Sequence, residues 1–215
     1  MIKLLGKIPR TVMVAVSGGV DSMASLDFLS NNHQVSAAFF HHGTENSERA
    51  LSGIEKYCRN KKIKLIIGHI QKPKDAGQSL EEYWRTERYK FFDDLNTITI
   101  TAHNLNDCVE TWIWSSLNGQ PKLIPYQRSK IIRPLLSTSK KTMIDWCIKK
   151  NVEWIEDTSN NDIKFTRNYI RHQLMPHALR VNPGLFKLIQ KRLIDRQLQR
   201  RVESDNLLQL SLIHI

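Results

Sequence analysis

Four short apolar runs, TVMVAV (11–16), QVSAAFF (34–40), IKLIIGHI (63–70) and TITITA (97–102), punctuate the chain. The stretches between them carry apolar residues at helical spacing: Leu26 and Leu29 after Ser22, then Leu51, Ile54 and Cys58. Residues 79–95 form a longer helical pattern with Leu80, Tyr83, Trp84, Phe91 and Leu95, and NLNDCVETWIWSSL follows the fourth run. KIIRPLL (130–136) reads as a short fifth strand ahead of the helix-like STSKKTMIDWCIKK. Apolar strands separated by helices imply an α/β fold, a mostly parallel sheet with helices on both faces. Ligands of such sheets lie beyond the carboxyl ends of the strands. That rule puts Ser17–Ser22, His41–His42 and Thr101–Asp107 on one rim.

Beyond residue 182 the strand signal stops, which divides the chain into 1–182 and a basic helical extension, 183–215. KLIQKRLIDRQLQRR (187–201) carries seven charged side chains, six of them basic. Lys187, Lys191 and Arg192 are the candidates there for an RNA backbone, with a solubilising helix as the alternative. The apolar end NLLQLSLIHI needs cover from its own domain or from a second copy, which allows a homodimer.

The formal charge of +11 over 215 residues favours a polyanionic partner. Three widely spaced cysteines, Cys58, Cys108 and Cys147, form no CxxC pair, so neither zinc nor an iron–sulfur cluster is expected. Their sparseness fits a reducing, cytoplasmic compartment. No run approaches about 18 apolar residues, so no membrane span is expected.

Directly behind the first strand stands SGGVDS (17–22). It lacks the lysine of a GxxxxGK[ST] loop. It offers backbone N–H groups at Gly18, Gly19 and Val20, hydroxyls at Ser17 and Ser22, and a helix start, all suited to phosphate. Asp21 adds a carboxylate that can hold Mg²⁺ against the phosphates. An ordinary strand–helix turn is the alternative. In order and placement the string resembles the SGGxDS loop of the N-type ATP pyrophosphatases. That superfamily has a Rossmann-like adenine nucleotide α-hydrolase fold and splits ATP between its α and β phosphates, leaving AMP on the substrate.

Four further stretches resemble one family within it, the tRNA(Ile)-lysidine synthetases. They are SLEEYWRTERY (79–89), TAHNLNDCVET (101–111), IIRPLL (131–136) and WIEDTSNNDIKFTRNYIRHQLMP (154–176). The likeness covers residues 11–183 and implies a short form without the extra C-terminal domains of long members. It implies conversion of C34 in a tRNA(Ile) with a CAU anticodon to lysidine. The cytidine C2 oxygen attacks the α-phosphorus of ATP, and the ε-amine of free L-lysine then attacks C2 and displaces AMP.

Asp107 and Glu110 stand i, i+3 on a helix and share a face, so they can hold the ammonium groups of lysine. One of the two can help remove a proton from the attacking amine, with Asp107 also counted among the catalytic residues. Trp114 shares that face, where core packing is the expectation and base stacking the alternative. Val109, Trp112 and Ile113 point toward a core. Charge on phosphate and on departing AMP calls for fixed cations. Arg85 and Arg167 are assigned to catalysis, and Arg88 and Arg171 to tRNA. Asn168 fixes either a base edge or its neighbouring loop. His41 and His103 are read as nucleotide contacts, with packing as the alternative, as for His42. Asp157, Ser159 and Asn160 read as a helix cap near the tRNA or lysine pocket.

Two stretches depart from the family pattern: HHGTENSERA lacks the arginine of an HGLR-like string, and SSLNGQPKL replaces an RGxG-like loop. A tRNA cytidine 2-thiolation enzyme usually carries the paired cysteines that are missing here. An amidotransferase would need an ammonia source. A non-catalytic RNA-binding module that merely senses ATP would not need the acid pair beside an intact SGGVDS loop.

Overall fold

The computed structural model describes residues 1–156 and 162–213. Asp157, Ser159 and Asn160, read above as a cap, lie outside the described residues. The elements run β1 (Thr11–Val16), α1 (Val20–Ser30), β2 (Gln34–His41), α2 (Glu45–Lys61), β3 (Lys64–His69), α3 (Leu80–Asp94), β4 (Thr99–Ile100) and α4 (Leu105–Leu117). Then follow β5 (Gln127–Arg128), β6 (Ile131–Ile132), α5 (Lys140–Lys150), α6 (Thr166–Tyr169), a π-helical turn at Ile170–Leu174, α7 (Met175–Val181) and α8 (Leu185–Ile213).

The sheet has the order β3-β2-β1-β4-β6-β5. Every neighbouring pair is parallel except β5 with β6. The parallel α/β expectation is therefore met. The chain builds outward from β1 to β3 and then restarts on the other side of β1 with β4. Between β1 and β4 the crossovers diverge, and a crevice opens at their carboxyl ends.

The strands on the far side are shorter than their apolar runs. TITITA is ladder-paired only at Thr99–Ile100, and KIIRPLL only at Ile131–Ile132. Pro134, with no N–H to donate, cannot extend β6. The edge strand β5 is a hairpin partner that the apolar pattern does not mark, since QRSK is wholly polar. Its two-residue turn places Ser129 at φ 52°, a conformation usually signalled by Asn or Gly.

The main core lies between the sheet and α1, α2 and α5, with Val12, Val14, Met23, Leu26, Ile54 and Met143 among its buried residues. A second core joins Leu105, Val109 and Ile113 of α4 to Leu185, Ile189 and Leu193 of α8. The basic helix is thus packed onto the sheet domain along one face. On its outer side Ile194, Leu198 and Val202 are exposed.

Asp27, buried in α1, ties three helices together. It accepts hydrogen bonds from the Tyr57 hydroxyl (2.7 Å) and Lys61 Nζ (3.1 Å) of α2 and from Trp146 Nε1 (2.9 Å) of α5. Burial alone would raise its pKa, but Tyr57, Trp146 and Lys61 outweigh it and hold the carboxyl below its ordinary value. Asp27→Asn is expected to cost about 1–3 kcal/mol in denaturant unfolding at neutral pH, because one donor loses its anionic acceptor. A depressed folded-state pKa stabilises above the unfolded value of 3.8, and that contribution disappears as pH falls through the folded value. The wild-type advantage should therefore shrink below about pH 4, and a difference constant down to pH 2 would contradict it.

Candidate active site at the carboxyl ends of β1 and β4

The turn after β1 is shaped by its own small residues. Gly18 sits at φ +80°, and a Cβ there would come within 2.9 Å of Ala50 Cβ, so both conformation and space demand glycine. Its carbonyl accepts the Ile155 N–H at 2.9 Å, which draws the segment after α5 against the turn. The buried Ser22 hydroxyl accepts from Ser17 N (3.0 Å) and donates to the Gly19 carbonyl (2.9 Å). Ser22 thereby holds the loop in shape. Gly19 is the N-cap of α1 and supplies no side-chain cap, which leaves first-turn N–H groups of the helix for a ligand.

Asp21 follows in that first turn. Its Oδ1 is buried without a hydrogen-bond partner. Burial first, and then the nearby charge of Asp107, push its pKa from 3.8 to about 6 against the opposing pull of Lys140, Asn104 and Arg171. Loops after β1 and β4 therefore meet here, as the sheet order requires.

The start of α4 is fixed by a reciprocal cap. Asn104 Oδ1 accepts from the N–H groups of Asn106 (2.9 Å) and Asp107 (3.2 Å), while Asp107 Oδ2 accepts from Asn104 N (2.9 Å). Asn106 Oδ1 accepts the Lys140 N–H at 2.9 Å and so joins α4 to the start of α5.

Asp107 and Glu110 do share a face, and it is met by cations. Glu110, 2% exposed, accepts from Arg167 Nε (2.9 Å) and Arg171 Nη2 (3.1 Å) on Oε2, and from Arg171 Nε (2.7 Å) on Oε1. Arg167 Nη2 also donates to Asp107 Oδ1 at 2.7 Å. Two of the four arginines assigned from sequence to phosphate or tRNA, Arg167 and Arg171, are thus bound to the acids assigned to lysine. Asn168, beside them, donates from Nδ2 to the Asp162 carbonyl at 2.9 Å, in line with the loop-fixing alternative. Trp114 departs from its core-packing expectation: it is 49% exposed, because the face it shares with the acids looks out of the core.

His103 lies behind this cluster with Nδ1 3.0 Å from Thr101 Oγ1. Burial and the charges of Arg133, Arg167, Arg88 and Arg85 push its pKa down to about 3. His42, in tilted ring contact with Trp84 at 5.1 Å between centroids, is pushed down to about 4 by burial, Arg88 and His41. Both rings are therefore neutral at physiological pH. His41 accepts the Gly43 N–H on Nδ1 at 3.0 Å and approaches Glu48 through Nε2 at 3.1 Å.

Arg85 covers the ring of Tyr89 at 5.2 Å. The hydroxyl of Tyr89 accepts from Arg133 Nη2 at 3.4 Å, and Arg133 Nη1 donates to the Pro125 carbonyl at 3.1 Å. Arg133 is 4% exposed and, among the described residues, has no carboxylate partner. Neither Arg133 nor Asn104 stood out in the sequence as a site residue, although IIRPLL and TAHNLND contain them. Lys187, Lys191 and Arg192 lie apart from the rim on α8, which packs on the face of α4 turned away from Asp107 and Glu110.

The model of the PP-loop domain family matches residues 3–178, the span that contains this whole crevice. The chain belongs to that family. As a PP-loop domain it agrees with a use of ATP. Similar curated proteins bear out the resemblance read from the sequence motifs. A tRNA(Ile)-lysidine synthase of Lactiplantibacillus plantarum is 33% identical over 197 residues, 83% of this chain and 44% of that protein. One of Haemophilus ducreyi is 32% identical over 191 residues, covering 83% and 44%, and one of Thermotoga maritima 33% over 191 residues, covering 80% and 46%. The chain spans less than half the length of these relatives. NMN synthetase from Francisella tularensis superposes with a TM-score of 0.53 at 14% identity, covering 89% of this chain and 87% of that one, a likeness of fold alone.

Proposed function

We propose that this PP-loop domain adenylates a tRNA cytidine and then joins lysine to its C2, giving lysidine, AMP and pyrophosphate. The observation that carries the reading is the approach of Asp107, at the head of the Asp107–Glu110 face, to a half-buried Asp21 whose Oδ1 has no hydrogen-bond partner, beside the SGGVDS loop. Asp21 suits a cation bridging to polyphosphate and the acid pair an amino acid with a cationic side chain, and the relatives' names point to the same chemistry.

The backbone of Ser17, Gly18, Gly19 and Val20 would take the phosphates, with Ser22 holding the turn and His41 and His103 bordering the nucleotide. Asp21, with Asp107 close enough to raise its pKa, fits Mg²⁺, a hard cation commonly held by one or two carboxylates and substrate phosphates. Bound Mg²⁺ would offset charge on the departing pyrophosphate. In the first step the C2 oxygen of cytidine bonds to the α-phosphorus and the bond to the β-phosphate oxygen breaks. Arg85 and Arg167 would meet the charge on the α-phosphate and Arg88 the tRNA, while Arg171, assigned to tRNA from the sequence, is instead taken up by Glu110.

In the second step the lysine ε-amine bonds to C2, the C2–O bond breaks and AMP leaves. Asp107 takes the amine proton. Glu110 is buried, and stripping it of cations would be costly. Lysine therefore enters by exchange: Arg167, whose side chain is 51% exposed, turns from the acids to phosphate as an ammonium group replaces it, while the less exposed Arg171 keeps Glu110 paired.

The test supplies labelled lysine, ATP, Mg²⁺ and a tRNA with a CAU anticodon. Label should enter the RNA with AMP formed in equal amount, and nucleoside mass analysis should find lysidine. ATP cleavage with no lysine in the RNA would overturn the reading.

A further inference from the structure

On the side of α4 opposite the acid pair, an open groove of about 510 Å³ runs between α8 and the loop after α4. Trp112, Pro121, Lys122, Pro125, Arg192 and Arg196 line it, with no acid among the lining residues. Among the described residues none of the three cations is paired with a carboxylate. Arg192 lies over the Trp112 ring at 5.9 Å, and the indole Nε1 has no acceptor.

Both walls are held firmly. The Lys122 N–H donates to Ser115 Oγ at 2.8 Å and the Gln120 N–H to the Ser115 carbonyl at 3.0 Å. The buried Arg133 guanidinium holds the Pro125 carbonyl. The facing wall is anchored by Ile189 and Leu193 in the second core. Among the described residues, three cations without a carboxylate partner therefore line one groove on firmly held backbone, one of them over an aromatic ring, at a place the catalytic chemistry does not use.

We propose that this groove is a second RNA contact, binding phosphodiesters of the tRNA outside the nucleotide being modified. The inference rests on the proposed function for its choice of RNA. Lys122 from one wall and Arg192 and Arg196 from the other neutralise phosphates, and Trp112 with its proline neighbours receives a sugar or base face. A mixed cationic and aromatic lining suits single-stranded or loop RNA, and the net charge of +11 has the matching sign.

The test measures binding of a labelled tRNA with a CAU anticodon to the full chain over a range of salt. Arg192→Gln with Arg196→Gln should weaken binding on the order of tenfold or more and make the slope of log K against log salt shallower by about two. Lys122→Gln, on the other wall, should make it shallower by about one. All three side chains are exposed or on a loop, so the unfolding midpoint should be unchanged, which separates lost contacts from a lost fold. Wild-type affinity and slope in the variants overturn the groove and leave the catalytic proposal standing. Weakened binding in the variants, with no lysine incorporated by the wild type, supports the groove while the catalytic reading fails. Loss of binding to phosphatidylglycerol vesicles with RNA binding intact would assign the groove to a lipid surface and overturn the RNA assignment.

Discussion

Asp21→Asn should lower pyrophosphate release by at least about 10²–10³-fold, the scale of losing one electrostatic group aimed at developing charge. The same change should make the protein more stable at neutral pH. The folded protein binds a proton at Asp21 more tightly than the unfolded chain does, since its pKa is about 6 rather than 3.8. Ionising it in place therefore costs stability, which falls as pH rises from about 4 to about 6 and is level above that. About two pH units correspond to roughly 3 kcal/mol at most, an upper figure because water reaches part of the side chain. The amide carries no charge and escapes this cost. Urea unfolding at pH 5 and pH 8 should show the variant's advantage growing with pH. Normal pyrophosphate release by the Asp21→Asn variant would remove Asp21 from the chemistry.

Glu110→Gln should act in the opposite sense on stability. Both carboxylate oxygens serve guanidinium groups, and the residue is all but inaccessible to water. The amide leaves Arg167 and Arg171 with Asp107 as their shared anionic partner, at 2.7 and 3.8 Å, a loss on the order of 2–3 kcal/mol, below that of a fully unpaired buried charge. For a chain of this length each kcal/mol moves the thermal midpoint by about 2–4 °C. Lysine use should fall more than adenylation when both are assayed well below that midpoint. Adding Arg171→Met should restore part of the stability, because a cation left with only the more distant Asp107 is removed, without restoring lysine use. An unshifted midpoint in Glu110→Gln would mean that the ion cluster contributes nothing to the fold. Equal loss of adenylation and lysine use would contradict the role given to Glu110.

Much of the rim was legible. SGGVDS behind an apolar strand fixes a phosphate-suited turn, because glycine at a left-handed position and small hydroxyl residues leave few other conformations. The i, i+3 spacing of Asp107 and Glu110 placed both on one helix face from periodicity alone. That spacing says nothing about what stands opposite. Arg167 and Arg171 approach from 57 and 61 residues away in the chain, and no local pattern encodes so distant a pairing. Arg133 was hidden for a related reason, since an arginine inside an apolar string gives no sign of its depth. Asp27 reads as a polar residue on a helix until α2 and α5 close over it.

The order of strands and helices, the glycine-built turn and the charge of the chain follow from the sequence, because each depends on residues within a few positions or on a simple sum. Tertiary structure alone decided that Asp21 keeps a carboxylate oxygen without a partner while Glu110 is saturated, and that α8 packs on α4 with Arg192 and Arg196 facing a groove. Burial and pairing are relations between distant segments. They exist only once the sheet has brought those segments together.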